Sequence, residues 1–341
     1  MKAMVMAAGL GTRLRPLTDF LPKPMMPVAN RPVLHHLLNL LHRHDVREIG
    51  INLHVFPEMI KSYFGDGSAL DMSIEWSYEK ELLGTAGGTK KLEHFWRGEP
   101  ILITSGDGLH DVDVTALLGH HRRMGGLATL TVKPVSDPSD YGVVILDRDT
   151  CVRGFQEKPR REEARSDLAN CGIYVIEPEL LERIPADTFV DFGEDLWPTL
   201  VTANEEIYAY TTMAYWNDVG GLDELRNSIL DAVSGRIRLQ IPGEEIAPGV
   251  WSEPGCQIDP GASIEGPVVL GRNVLIEADA RIRGPAAIGA DSRVGKAAAI
   301  RSAALLPGSD VPDEGIAIAG IFGDASKLAE SVLRYPAALD S

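Results

Sequence analysis

The chain lacks what would tie it to nucleic acid, to an oxidising compartment or to a membrane. Lysine and arginine number 33 against 49 aspartates and glutamates, a formal charge of −16. That excludes a nucleic-acid partner, which needs a basic face. Cysteine occurs only at Cys151, Cys171 and Cys256, widely spaced and in no CxxC arrangement. A disulfide framework and a thiolate zinc site are therefore excluded, and reduced packing residues of a cytoplasmic protein are expected. No apolar run approaches bilayer length, and the strand-like run after Met1-Lys2 is too short for a signal segment. All nine histidines precede Arg122 and none forms an HExxH pattern; His35, His36, His42, His44, His120 and His121 read as solvated or half-buried helix residues. What remains is an ordinary globular composition, 44% apolar and 24% charged over 341 residues, enough for one large domain and a smaller one.

The stretch "AAGLGTRLRP", Ala7 to Pro16, follows a short apolar run. A glycine-rich turn after a first strand offers backbone amides to a phosphate. Gly9 and Gly11 fit two positions of the dinucleotide pattern G-x-G-x-x-G, but Leu14 stands at the third, and no Gly-Lys-Ser/Thr completes a P-loop. Instead come Arg13 and, ten residues on, Lys23 in "PKP". Between Gly9 and Arg31 the cations Arg13, Arg15, Lys23 and Arg31 face a single acid, Asp19. A basic loop in an acidic protein predicts a site for a small polyanion.

Two rhythms divide the chain. Up to about Gly235, β-rich runs such as "KAMVMAA", "REIGINL", "EPILITS" and "LATLTVKP" alternate with helical patterns such as "RPVLHHLLNLLHRH", "DVTALLGHHRRMG" and "GLDELRNSILDAVSG". That alternation predicts a Rossmann-like α/β domain over 1–235, its mixed, mainly parallel sheet covered on both faces and binding ligand at the strands' carboxyl ends. Beyond Gly235, Ile246, Ile258, Ile264, Leu270, Ile276, Ile282, Ile288, Val294, Ile300 and Leu306 keep one six-residue register, broken only by Ser252. Aliphatic knobs at that period, with small residues such as Ala280 and Ala298 two positions before, predict a short left-handed parallel β-helix over 236–310. A tail, 311–341, follows.

In order along the first domain stand "GLGTRLRPLTDFLPKPMMPV", "ELLGTAGGTK", "SGDGL", "DYGVV", "GFQEKP", "DLANCGIYV" and "YWNDVGG". With these motifs the chain resembles the sugar-1-phosphate nucleotidyltransferases, most closely their mannose-1-phosphate guanylyltransferase branch, over roughly Met1 to Gly235. The resemblance implies transfer of a nucleoside monophosphate from an NTP to a sugar 1-phosphate with release of pyrophosphate, assisted by Mg2+. Such chemistry asks the protein chiefly for positioning and charge neutralisation. Main-chain groups of Leu10, Gly11 and Thr12 would meet the triphosphate, Arg13 the departing pyrophosphate and Lys23 the α-phosphate. Asp107 and Asp218 would hold the metal, two carboxylates sufficing for an ion that keeps phosphate and water ligands. Asp218 taken alone also suits a helix N-cap, and Asp113 suits the cap of "VTALLGHH" better than a metal role; Asp111, like Asp113, does not match the family's metal position. Leu83, Gly84 and Thr85 would read the nucleobase through the backbone, Thr85 also being placed to cap a helix. Gly142, Glu157, Lys158 and Asn170 would receive the sugar phosphate, Lys158 on its phosphate and Glu157 and Asn170 on hydroxyls.

Two other classes compete with this reading. Acyl transfer by the coil needs a histidine base and the coil has none. A non-catalytic paralogue would have lost Arg13, Lys23, Asp107 or Asp218, and all four are present. Within the enzyme class, "LLGTAGG" favours GTP and mannose 1-phosphate. Guanylyl, adenylyl or thymidylyl transfer to another hexose or cyclitol 1-phosphate, such as glucose or valienol 1-phosphate, is the alternative. The coil's flat faces and open end predict a homo-oligomer.

Overall fold

The computed structural model describes residues 1–96 and 98–338; residues 339–341, the end of the expected tail, lie outside the described residues. A nine-stranded mixed sheet organises the first part. Strands Ser73–Tyr78, Glu48–Leu53, Lys2–Met6 and Ile101–Ser105 run parallel in that order. The long strand Leu168–Ile176 then pairs antiparallel with Ile101–Ser105 and carries Gly142–Leu146 and Val152–Glu157 on one branch. Its other branch is Ala128–Pro134, which pairs in turn with Ile207–Thr211. Ala3 and Val5 point into one core and Met4 into the other, so both faces of the sheet are covered.

Helices form where the three-and-four spacing lies: Val33–Arg43, Val114–Met124 and Leu222–Val233. Asp113 caps the second by accepting from the Ala116 amide at 2.8 Å. The third starts after Gly221, not Asp218, with no side-chain cap. Several histidines sit deeper than expected: His35, His36 and His121 are buried, His36 Nε2 lying 2.8 Å from the Val28 carbonyl.

The second part is a parallel β-helix of three sheets. Strands recur every eighteen residues, as in Val250↔Val268↔Ala286 and Ser263↔Arg281↔Ala299. Three details of the six-residue register are corrected. Ile246 belongs to a strand antiparallel to the coil and is half exposed. One corner after Arg301 is a residue short, so Leu305, not Leu306, stacks on Ile288. Leu306 turns outward and joins the core of the first domain. Finally, the coil does not stop at 310: Asp310–Val311, Ile316–Ile318 and Ile321–Phe322 continue its three sheets. They escape the six-residue pattern because of that shortened corner.

The coil is not a separate body. Val269, Ala287, Ala304 and Leu306 share one buried cluster with Leu225, Ile229 and Ala232 of helix Leu222–Val233. Leu328 and Val332 of the terminal helix Leu328–Leu333 complete it, and the Ala337 amide donates to the Tyr63 carbonyl at 2.9 Å.

Candidate active site

Strand Lys2–Met6 ends beside Ile101–Ser105, so the loops after both open on one sheet edge. The first loop turns at Gly11 (φ +64°), whose Cα packs against the stem of Lys23: a Cβ there would lie 3.1 Å from Lys23 Cβ. The second carries Asp107 and enters strand Gly108–His110, which pairs antiparallel with Trp216–Asp218. Asp218 falls opposite Gly108, and this register brings the two aspartates together. Lys23 Nζ stands between them, 2.5 Å from Asp107 Oδ2 and 3.3 Å from Asp218 Oδ1. The Ser105 hydroxyl also donates to Asp107.

Burial works to lower the Lys23 ammonium, but the two carboxylates outweigh it and hold it above the ordinary lysine value. Burial first, then the neighbouring Asp107 charge, raise Asp218 above the usual carboxylate range. Arg13 is 72% exposed at its side chain, with Nη2 3.9 Å from Asp218 and its guanidinium against Gly220, where a Cβ would lie 3.0 Å from Nη2. The donor set fits a divalent cation, since a cation already bridges the pair. Among the described residues no cluster of three or more His, Cys, Asp or Glu could hold a metal alone. An ion held by Asp107 and Asp218 would complete its shell with phosphate oxygens and water, as Mg2+ does.

A cleft of about 350 Å³ includes this cluster and is lined by Arg13, Lys23, Thr85, Asp107 and Asp218 together with Gly142, Glu157, Lys158 and Asn170. Glu157 sits across the strand pair from Gly142, and Lys158 Nζ lies 3.2 Å from Glu157 Oε1. The Asn170 amide donates to the Tyr174 hydroxyl at 2.8 Å. Tyr141 and Trp216 stand with ring centroids 5.0 Å apart. Cys171 also lines the cleft, but burial pushes its thiol up to about 12, so it is no nucleophile at neutral pH.

Leu10, Gly11, Thr12, Leu83 and Gly84 lie in the two loops adjoining the cleft rather than in its lining. The Thr85 cap is corrected: helix Gly84–Lys91 begins one residue earlier, after Leu83, without a side-chain cap. The Thr85 hydroxyl instead donates to Asp191 Oδ2 at 2.8 Å and accepts from the Phe192 amide. Gly84 has φ +71°, and a Cβ there would lie 2.4 Å from the Val190 carbonyl oxygen. Both of these main-chain groups of Leu83 are engaged inside the protein, its N–H by Glu79 at 3.0 Å and its carbonyl by the Val190 amide at 2.9 Å. Sequence reasoning missed Asn52, Glu79 and Asp191. In "YEKELLG" nothing separates Glu79 from Glu81, and only burial marks Glu79, 1% exposed.

A larger cavity, about 720 Å³, lies where Arg31 meets Arg272 and Tyr335. Both arginines there are directed at the buried Glu253 carboxylate, at 2.9 and 3.4 Å, and the cavity holds no part of the aspartate cluster.

Known proteins share this arrangement of elements. The chain is 39% identical over 292 residues to the UTP–glucose-1-phosphate uridylyltransferase of a Synechocystis species, covering 81% of this chain and 75% of that protein. It is 35% identical over 234 residues to the mannose-1-phosphate guanylyltransferase of Mycobacterium tuberculosis, covering 68% of this chain and 65% of that one. The crystal structure of HddC from Yersinia pseudotuberculosis complexed with GMP-PN overlays with a TM-score of 0.59 at 24% identity, over 67% of this chain and 97% of that chain, which establishes the common fold. Residues 2–234 match the family described as Nucleotidyl transferase, and the chain belongs to it.

Proposed function

We propose that the chain is a sugar-1-phosphate nucleotidyltransferase that joins the GMP of GTP to mannose 1-phosphate and releases pyrophosphate. The observation that carries the transfer chemistry is the position of Lys23, held between Asp107 and Asp218, against Gly11 of the glycine-rich loop, in a cleft that Glu157 and Lys158 also line. The choice of GTP and mannose 1-phosphate is supported by the "LLGTAGG" loop and the guanylyltransferase relative. Lys158 binds the acceptor phosphate, and Glu157 with Asn170 receives sugar hydroxyls. An acceptor oxygen then faces the α-phosphorus in line with the departing pyrophosphate. Lys23 stabilises the charge that grows on the α-phosphate, and Arg13 swings onto the pyrophosphate with its planar fork. Asp107 and Asp218 would hold Mg2+, which would neutralise phosphate oxygens. The main chain of 83–85 approaches the base. Two isoleucines on the coil strand Ile316–Ile318, Ile316 at 70% and Ile318 at 51% exposure, support self-association through the coil.

A second reading, uridylyl transfer to glucose 1-phosphate, is favoured by the uridylyltransferase relative, whose similarity runs over 292 residues and so beyond the first domain. Pyrophosphate release from GTP, UTP, ATP and dTTP, each with mannose 1-phosphate and with glucose 1-phosphate, separates the two. GTP with mannose 1-phosphate should be fastest. A clear preference for UTP with glucose 1-phosphate transfers the assignment to the second reading, and no release from any pair removes both.

A further inference from the structure

Two loops that would grip opposite ends of a nucleotide are joined by a buried polar relay. The Ala7 amide, where the glycine-rich loop begins, donates to Asn52 Oδ1 at 2.8 Å. Asn52 Nδ2 donates to Glu79 Oε1 at 2.8 Å. Glu79 Oε2 accepts from the Leu83 amide at 3.0 Å, at the start of the loop assigned to the base. Asn52 and Glu79 are 3% and 1% exposed, and no ion pair to Glu79 occurs among the described residues. A buried carboxylate without a cation is costly unless its oxygens are bonded. Here the bonds come from two neutral donors, the Asn52 side-chain amide and the Leu83 N–H, the second at the N-terminal end of helix Gly84–Lys91, where negative charge is favoured. The helix makes room for the relay: a Cβ on Gly88 would lie 2.5 Å from Glu79 Oε1 and 2.7 Å from Asn52 Nδ2.

We infer that Glu79, with Asn52, is a positioning residue that fixes the base loop at a set distance from the phosphate loop. This rests on the reading of Leu83–Thr85 as the base loop. A nucleotide's base and phosphates are covalently spaced, so two loops on different strands grip both only if their separation is fixed. Neither side chain lines the cleft, so the effect passes through the loops they hold.

The donor and acceptor pattern supplies its own test. In Glu79→Gln, one carboxylate oxygen becomes an NH2 that must face a second donor, either the Leu83 amide or the Asn52 amide. Flipping Asn52 only moves the mismatch to the Ala7 amide. In Asn52→Asp alone, two carboxylates face each other. In the double variant Asn52→Asp/Glu79→Gln every bond is restored: the two backbone amides still donate, and only the central bond has its donor and acceptor exchanged.

Direct binding of GTP, UTP and inorganic tripolyphosphate, together with both Michaelis constants, is measured on wild type, the singles and the double. Each single variant should weaken nucleotide binding about tenfold, the effect of one mismatched buried hydrogen bond. Binding of tripolyphosphate, which has no base, and the Michaelis constant for sugar 1-phosphate should change less than about twofold, a split expected of positioning alone. The double variant should return nucleotide binding to near wild type. Singles that bind nucleotide normally overturn the proposal, as does a double variant no better than the singles, including when the singles fail to fold. If tripolyphosphate binding falls in parallel and is rescued by the double variant, the relay serves the phosphate loop and the base-loop reading fails instead.

Discussion

The Lys23 ammonium lies 2.5 Å from the Asp107 carboxylate, and the two are as closely tied to folding as to chemistry. Lys23 is 8% exposed and its partner 18%, so each offsets the cost of burying the other.

Asp107→Asn should therefore do two things. Turnover under limiting Mg2+ should fall about a hundredfold or more, as when charge stabilisation is removed from a reacting phosphate. Thermal stability should also drop, because Lys23 keeps only the partly open Asp218, 41% exposed. Asp218→Asn should match the loss of turnover with a smaller loss of stability. Steady-state rates at several Mg2+ concentrations and melting temperatures check both, and normal turnover in either variant excludes that residue from the metal site.

The two proposed phosphate sites should separate kinetically. Lys158→Ala should raise the Michaelis constant for sugar 1-phosphate far more than that for the nucleotide, by about tenfold for one lost charge-assisted contact. Arg13→Ala should act on steps involving the triphosphate or pyrophosphate, since its exposed guanidinium lies beside Asp218. Interchanged profiles would mean the two phosphate sites are wrongly assigned.

Acid should destabilise the fold through His110. Burial drives its imidazole down to about 4, against 6.5 for the free side chain, with the Asp111 charge opposing. Between those values the unfolded chain binds more protons than the folded one, so stability falls as pH drops from 6.5 toward 4. The loss from this group reaches about 2 kcal/mol at pH 5. Urea unfolding at pH 7 and pH 5 measures the slope, and His110→Leu should flatten it whatever its effect at pH 7. An unchanged slope would show that His110 is not the group responsible.

Truncation after Gly235 should cost the catalytic domain stability. The outward face of the coil, Val269, Ala287, Ala304 and Leu306, is part of the same buried cluster as Leu225 and Ile229. Removing it bares that apolar face to water. The truncated chain should melt several degrees lower or aggregate, on the order expected when about 1–2 kcal/mol is lost. Calorimetry on both lengths decides the matter, and an unchanged melting temperature would mark the coil as an independent module.

Most of the architecture was legible in local pattern. The parallel strands announce themselves as apolar runs because both faces of the sheet are buried, and the coil as a six-residue period because each strand places one aliphatic inward. The slip at the shortened corner was not legible. In "SAALLPG" two leucines stand side by side, and hydropathy alone cannot say which one turns in. Stacking on Ile288 selects Leu305, and the apolar face of helix Leu222–Val233 takes Leu306.

The candidate site divides the same way. The glycine-rich loop, Arg13 and Lys23 stand out in sequence because they are neighbours in an acidic chain, and their anionic ligand follows from charge alone. That Asp218 joins Asp107 rather than capping the next helix depends on the antiparallel register of Trp216–Asp218 with Gly108–His110, a pairing between distant segments that no local pattern encodes. Thr85 bonds to Asp191 rather than capping its own helix, and Glu79 rather than Glu81 is drawn inside, for the same reason. Sequence determined which groups could meet a phosphate. Only the tertiary structure decided which polar groups meet each other, because a buried donor or acceptor takes whatever partner the packed chain brings within reach.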